Sequence, residues 1–590
     1  MRIYLSVLLI GWLSLQFTPV YASQAAVAMP DRYGAEVAEK ILHQGGNAVD
    51  AAVAAGFALA VTYPEAGNLG GGGFMTLFIG EKKATPPQAH FLDYRETAPG
   101  SSSRDMYLDA EGEVIPFASL IGAKASGVPG TVMGFWQAHQ RFGRLSWETV
   151  LQPAIELAKN GFVVAPSLED RRRWYQSWIA GKSDEKLNFD AYFGELKSGE
   201  RFRQPELAQT LKRIARQGAE DFYHGRTAEL IVKTMQMQKG LISRQDLAGY
   251  RVKWRAPIRF DWNGYTVLSA PPPSSGGIAL GQLLQMHDLL KNQYRQAQEK
   301  AKTGNQLLDS MALKTHFFAE MEKRVYADRA EYLGDSDFVD VPVERLLSRE
   351  YLQKRAASVN FQAISDSEKV RPGLAESPET THFSIVDSEG NAVSNTYTLN
   401  MPFGNGVVIE GAGFLMNDEM DDFSTKPGVA NVFGVTGGQA NEIVPGKRML
   451  SSMSPTLVLD NGQVKAVVGT PGGSTIITSV FQVILNVLDR DIGKGMGAQN
   501  AVDAIRVHHQ LWPKNRIDYH PELAPETQKA LTALGYRLRR NDYLGDVQLL
   551  VRQSGVWQAA ADYRGRGVAK VFSVSDSPVP IVPAQNKSMH

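Results

Sequence analysis

The chain has 590 residues, 43% of them hydrophobic, which is enough for a large core and excludes wholesale disorder. Lys+Arg and Asp+Glu are equal at 62 each, a balance that argues against a nucleic-acid binder. There is no cysteine, so thiol nucleophiles, zinc–thiolate sites and disulfides are all excluded.

The chain opens with "MRIYLSVLLIGWLSLQFTPVYASQA". Arg2, an apolar run from Ile3 to Phe17 and the small residues of Val20-Tyr21-Ala22 predict a cleaved signal peptide over 1–22, with an uncleaved membrane anchor as the alternative. Export without disulfides fits a bacterial periplasm, or secretion. From Asp31 to Tyr63 the pattern predicts two helices broken at Gly45-Gly46, the second capped by Asn47. "NLGGGGFMTLFIG" then reads as a glycine loop entering an apolar strand. Its GGGG at 70–73 suits tight packing better than a phosphate cradle, because a strand follows instead of a helix.

Pro129 to Arg355 is mostly helical by periodicity, punctuated by stretches such as "APPPSSGG" at 270–277. "QAQEKAKTGNQ" (296–306) reads as an exposed loop, and 357–379 as an exposed polar linker. After it come strands with tight turns, then helices near 474–506, with no internal repeat. Composition alone says a large α/β protein; the order of a helix-rich half, an exposed linker and a strand-led half suggests one α/β unit interrupted by a cleavable segment.

The linker ends at "SPETTHFSIVDSEGNAVSNTYTLN", 377–400. Alternation puts Thr381, Phe383 and Ile385 on one face and His382, Ser384 and Val386 on the other. With Gly390 left-handed in a bulged turn, Asp387 pairs with Asn391, and Thr380 comes opposite Thr398. A second hairpin turns at Asn461-Gly462. Pairing Asp460 with Gln463 sets Ser451 opposite Gly472 and Ser452 opposite Pro471, unless a bulge shifts the register. Two hairpins thus end in a Thr-Thr pair and a Ser-Ser/Gly-Gly cluster. Hydroxyls hold carboxylates, and consecutive glycines let N–H groups approach an oxyanion, although polar hairpin ends also occur for no chemical reason.

Cleavage between Glu379 and Thr380 would give Thr380 a free α-amine, a base of pKa roughly 7.7–8.0 for its own hydroxyl. This activation needs neither Cys nor His, and no G-x-S-x-G elbow or H-E-x-x-H helix competes with it. His508-His509 lacks partnering ligands and reads as a structural pair.

The runs "PEAGNLGGGGFM", "DYRETAP", "YADRAEYLGD", "ETTHFSIVDSEGNAVSNTYTLN", "MNDEMDDFSTKPG", "LSSMSPT" and "GTPGGS" together resemble γ-glutamyltranspeptidase (glutathione hydrolase), a family of N-terminal-nucleophile hydrolases, across essentially the whole mature chain. The resemblance implies a four-layer αββα sandwich and self-cleavage into a large chain, 23–379, and a small chain, 380–590, that stay together as a heterodimer. It implies attack by Thr380 on glutathione and other γ-glutamyl compounds, with the acyl-enzyme passed to water or to an amino acid or peptide acceptor. Thr398 matches the hydroxyl that bonds the nucleophile, and Gly472 and Gly473 the oxyanion-hole glycines. Arg95, Ser451 and Ser452 match the groups on the substrate α-carboxylate; Asn400, Glu419 and Asp422 match those around its α-ammonium. Without the resemblance, "NDEMDDF" reads as a solvated face and Arg95 as a surface arginine.

Glu419 stands where some relatives carry glutamine. Phe433, in the lid-like run "STKPGVANVFGVTGG", stands where some carry tyrosine. No metal or organic cofactor is implied. Two alternatives are carried: a cephalosporin (glutaryl) acylase-like amidase of the same superfamily, and a non-processing periplasmic binding protein, which a Thr380→Ala change would leave unaltered.

Overall fold

The computed structural model describes residues 24–81, 86–183, 185–302, 308–368, 370, 380–426, 438–489 and 495–574. The early helices form as predicted: Arg32–His43 (α1) and Ala48–Thr62 (α2), with Gly45 left-handed between them. Asn47 Oδ1 accepts from the N–H groups of Val49 and Asp50 while Asp50 reaches back to the Asn47 N–H, a reciprocal cap. α2 is buried on every side, which its run of alanine and valine allows.

Two antiparallel sheets lie at the centre. Their strands in chain order are β1 (Gln24–Met29), β2 (Gly72–Ile79), β3 (Gln88–Asp93), β4 (Lys253–Arg255), β5 (Ile258–Trp262), β6 (Tyr265–Ser269), β7 (Thr381–Val386), β8 (Ala392–Thr398), β9 (Thr456–Asp460), β10 (Gln463–Gly469), β11 (Gln548–Gln553), β12 (Val556–Ala561) and β13 (Val568–Ser573). The first sheet runs β13-β1-β7-β8-β2-β3-β4 and the second β12-β11-β10-β9-β6-β5.

Alternating side chains make four layers of this. Val27, Leu77, Phe383, Ile385, Val393 and Tyr397 pack outward against α1, α2 and their neighbours. Ala26, Phe78, Val386, Leu457, Val467 and Leu550 fill the space between the sheets. Val267, Val458, Ala466 and Leu549 face a second helical layer, which includes Gly276–Lys302 (α3), Ser310–Tyr332 (α4) and Thr475–Leu488 (α5). The expected αββα sandwich is the observed architecture.

The inter-sheet layer is unusually polar toward the Thr380 end. Thr76 donates to Pro455 O (2.7 Å), Ser394 to Val468 O (3.2 Å) and Ser384 to Gln548 O (3.1 Å), so each buried hydroxyl bonds the opposite sheet. Burial pushes the imidazole of His382, bonded to the Thr396 hydroxyl at 2.7 Å, down to about 3, and it stays neutral.

Several expectations change. The first hairpin keeps its predicted register, Thr381 opposite Tyr397 and Val386 opposite Ala392, with Gly390 left-handed. The second turns as predicted, with Asn461 and Gly462 both at positive φ, but a bulge between Val458 and Leu459 shifts the pairing by one. Ser451 does not pair with Gly472; it bridges Ser274 instead. The expected loop at 296–306 is helical to Lys302, because its Gln, Glu, Lys and Ala are strong helix formers and Ala297 is buried in the core. In the expected exposed linker, Ser365 N–H and Oγ both donate to Glu320, anchoring it to α4. The part of the chain before the linker also supplies six strands of the two central sheets among the described residues, including the β5–β6 hairpin, whose Asn263-Gly264 turn at positive φ was a usable signal.

The glycine run is packed as its sequence suggests. A Cβ on Gly71 would stand 2.0 Å from the Thr398 carbonyl oxygen and 2.7 Å from Asn68 Oδ1. Gly71→Ala is therefore expected to destabilise by about 2–4 kcal/mol, read as a lower midpoint of guanidinium denaturation. A midpoint within error of wild type would show that the loop tolerates closer approach than this geometry allows.

Candidate active site

Thr380 is buried immediately before β7, and the register of the hairpin carries it opposite Thr398, the last residue of β8. The Thr398 hydroxyl accepts from the Asn400 N–H at 2.7 Å, and its carbonyl accepts from Asn68 Nδ2 at 2.8 Å. Asn68 in turn accepts from Gly71 N–H and from the Thr131 hydroxyl, so the glycine loop and the end of β8 are held as one unit.

After Thr398 the backbone makes a strained turn. Asn400 has φ +80° and Phe403 φ +63°, conformations rare for residues with a Cβ. The strain is held by Asp418: its carbonyl accepts from Asn400 Nδ2 (3.0 Å) and its carboxylate from Met401 N–H (2.9 Å). Burial raises the Asp418 carboxyl well above its ordinary range.

Asp418 opens the acidic run, which is not a solvated face. Glu419–Asp422 is a single tight 3₁₀ turn, and Glu419, Met420 and Asp421 are buried. Asn417 fixes it: its amide donates to Gly70 O and Gly127 O and accepts from the N–H groups of Gly127 and Glu419. Asp421 bonds the Ser119 hydroxyl at 2.5 Å, and burial pushes its carboxyl up to about 6.

Arg95 leaves the end of β3 and is 1% exposed, not a surface arginine. Its guanidinium pairs with Glu419 and with Asp422 (2.5 Å), and also donates to the carbonyls of Met449 (3.4 Å) and Leu450 (3.3 Å). Its fork therefore joins the acidic turn to the segment that enters Ser451 and Ser452. Asn441 makes the same junction, donating to Asp422 O and accepting from Leu450 N–H.

Ser451 N–H donates to Pro273 O, and its carbonyl accepts from Ser275 N–H and Oγ, both at 2.7 Å. The "APPPSSGG" stretch is thus a buried cradle for the serine pair, with Arg329 Nε on Ser275 Oγ. The Ser452 hydroxyl is buried with no hydrogen-bond partner among the described residues. Beyond β10, Gly472 (φ +132°) and Gly473 (φ +55°) turn the chain into α5. A Cβ on Gly469 would lie 2.3 Å from the His382 ring, which seats this end of β10 against the start of β7.

Shared contacts thus join Arg95, Glu419 and Asp422 to the backbone entering Ser451 and Ser452, and Asn400 reaches the same acidic turn through Asp418; the Gly469–His382 contact links the strand before Gly472 and Gly473 to the strand after Thr380. Glu379 and Phe433 lie outside the described residues. The ends of the lid-like run meet, Ser424 bonding both Asn441 O and Gly438 O. Asn68, Asn417, Asn441 and Ser274–Ser275 were missed by sequence reading; the only signal for Asn68, Asn417 and the serines was position inside the quoted stretches, and Asn441 lies outside them.

His508 bonds Thr478 and Gln510 through its two nitrogens, and His509 Nδ1 bonds Arg516 O, consistent with a structural pair. A metal-type grouping, His287, Asp288 and Asp489, lies in the second helical layer with Lys291 Nζ 3.6 Å from Asp489.

The sequence matches the family model described as gamma-glutamyltranspeptidase over residues 34–572. It is 56% identical over 549 residues to a glutathione hydrolase proenzyme of Pseudomonas aeruginosa, covering 92% of this chain and 94% of the relative. The chain belongs to the γ-glutamyltranspeptidase family. Among solved structures, a gamma-glutamyltranspeptidase from Pseudomonas nitroreducens complexed with L-DON is 53% identical with a TM-score of 0.53, covering 58% of this chain and 97% of that one. A cephalosporin acylase from Bacillus halodurans is 26% identical with a TM-score of 0.77, covering 93% and 96%.

One buried acid beside that machinery has a pH signature. Glu96, fully buried with Arg95 Nη1 at 3.8 Å, makes no hydrogen bond through its carboxyl among the described residues; burial, opposed by Arg95, pushes it up to about 8. The folded state thus keeps a proton that the unfolded chain releases near 4.5. Stability carried by that proton is complete below about pH 4.5 and is lost as pH rises to about 8. Compared with Glu96→Gln, which cannot titrate, the wild type is expected to lose about 3–5 kcal/mol across that window in urea unfolding at stepped pH. Parallel pH profiles for the two proteins would refute the assignment.

Proposed function

We propose that this member of the γ-glutamyltranspeptidase family is made as a proenzyme of 1–22, 23–379 and 380–590, cleaves itself between Glu379 and Thr380, and uses the freed Thr380 to move γ-glutamyl groups. The observation that supports the reading is the hairpin register, which continued by one pair brings Thr380 opposite Thr398, two residues before the Asn400 that Asp418 ties to the acidic turn. The solved relative's chain, matched over 97% of its length by 58% of this one, supports the division, since that share is slightly less than the part from 23 to 379.

In the proposed reaction Thr380 Oγ1 adds to the γ-carbonyl of the substrate and gives its proton to the Thr380 α-amine. Thr398, across the hairpin, orients the attacking oxygen. The carbonyl oxygen takes the negative charge and is met by N–H groups of Gly472 and Gly473, free to face it because glycine accepts these φ values. Collapse breaks the C–N bond; the amine leaves with the proton from the α-amine, and an ester on Thr380 remains. Water or the amino group of an amino acid or peptide then attacks that ester by the reverse proton path, regenerating the hydroxyl.

The ion pairs define the substrate head. Arg95 already holds two carboxylates in a dry site. A zwitterionic α-amino acid exchanges with this arrangement without net charge: its carboxylate takes the guanidinium fork and the Ser451 and Ser452 hydroxyls, and its ammonium takes Glu419, Asp422 and Asn400. The unpartnered Ser452 hydroxyl gains an acceptor. A glutaryl group has no ammonium and leaves the acidic turn without its cation, which disfavours the acylase reading.

The start of the chain fits export to the periplasm, and among the described residues no helix is long and apolar enough to cross a membrane.

Denatured intact mass and N-terminal sequencing test the maturation: wild type is expected as two species, one beginning Thr380-Thr381-His382 and the other near Ser23, and Thr380→Ala as one uncut, inactive species. A single wild-type species would refute processing. Arg95→Lys is expected to lower kcat/KM on a γ-glutamyl anilide about 10–100-fold, mostly through KM, since an ammonium cannot reproduce the fork. A preference of the wild type for a glutaryl amide over the γ-glutamyl anilide would decide for the acylase instead.

A further inference from the structure

Gly472 and Gly473 lie between β10 and α5, outside any ladder. Their carbonyls accept from Thr475 and Ile476 N–H, but among the described residues no strand or helix partner fixes where their own N–H groups point. Donors that serve a developing oxyanion must be held to within a fraction of an ångström. A second segment stands directly behind them.

Gly545 (φ +83°) has its Cα 3.4 Å from where a Cβ on Gly472 would sit. A Cβ on Gly545 would itself meet Thr470 Oγ1 at 2.5 Å and Pro471 O at 3.2 Å. The next residue, Asp546, donates its N–H to Thr470 Oγ1 at 2.8 Å, and that hydroxyl donates to Pro471 O at 2.8 Å. The segment 544–546 is thus a backbone brace against the Thr470–Gly473 turn.

Arg506 holds the brace. It is fully buried, and Nε donates to Leu544 O at 2.9 Å while Nη2 donates to Gly545 O at 3.4 Å and to the Asp562 carboxylate. Nη1 is anchored on Val502 O at 2.7 Å. Asp562 closes the circuit by accepting Val547 N–H at 3.1 Å, and Arg564 neutralises its other oxygen. Ser479, on α5, adds a hydroxyl to Leu544 O. A rigid planar fork is suited to fixing two successive carbonyls, and a flexible ammonium is not.

We propose that Arg506 is a positioning residue for the γ-glutamyl transfer reaction: through Leu544–Asp546 and Thr470 it sets the orientation of the Gly472 and Gly473 N–H groups. It touches no substrate. The inference rests on the assignment of those glycines as oxyanion donors under the proposed function.

The test separates tetrahedral from ground-state binding. The processed enzyme, Arg506→Lys and Thr470→Val are compared for kcat and KM on a γ-glutamyl anilide. Their Ki values are compared for glutamate and for an analogue in which a boronic acid replaces the γ-carboxyl, to which Thr380 adds. The variants are expected to lose about 10–50-fold in kcat and in boronate affinity, with KM and the glutamate Ki within twofold. Loss of both affinities together, or of neither, would overturn the inference. Thr470→Val cuts the circuit at its other end and decides the question alone should Arg506→Lys stay unprocessed. A wild type that neither turns over the anilide nor binds the boronate overturns the functional reading and this one with it. An active wild type with unshifted variants overturns only this one.

Discussion

The pairing of β7 with β8 is the constraint on which the rest of the molecule depends. One residue of slip would turn every side chain of β7 to the opposite face, putting Phe383 between the sheets and His382 among the helices. The observed register is therefore selected by burial of apolar groups along six residue pairs, and Thr380 inherits its place from it. A residue positioned in this way needs no local motif of its own. Its precision comes from a hydrophobic layer on one side and from cross-sheet hydroxyl bonds on the other.

Around that hairpin, asparagine does most of the joining. Asn68, Asn417 and Asn441 each use both ends of the amide to tie together segments far apart in sequence. An amide can donate and accept at once without charge, so it can be buried beside the Arg95–Glu419–Asp422 cluster and leave its electrostatics unchanged. The Arg95 guanidinium there is met by the Glu419 and Asp422 carboxylates.

The hairpins, the paired early helices and the glycine loop were legible because each carries a local rule: a positive-φ glycine or Asn-Gly turn, a cap, a period of two. The bulge at Val458–Leu459 was not, since a single extra residue leaves no mark on composition. Arg95 was legible only through family resemblance, because its partners lie more than three hundred positions along the chain and nothing near it announces burial. The "APPPSSGG" stretch breaks the chain between strand and helix as its proline and glycine imply, and lets the backbone pass close under Ser451. The polar tail of α3 was misread because its helix-forming residues are also common in loops.

Strand order carries a last consequence. With the proposed division at Thr380, the first sheet would alternate between products, β13 from the small chain, β1 from the large, β7 and β8 from the small, then β2, β3 and β4 from the large, and the second sheet would join β9 to β6 in the same manner. Arg566 on Glu65 and Lys570 on Glu39 stitch the same boundary. Under that division neither product would hold all the strands of either central sheet. The uncut chain is the only form in which these strands can find one another as a unimolecular search, so maturation turns an equilibrium fold into a kinetically trapped one. Once unfolded, the mature enzyme is left with two incomplete halves whose exposed strand edges favour aggregation over reassembly.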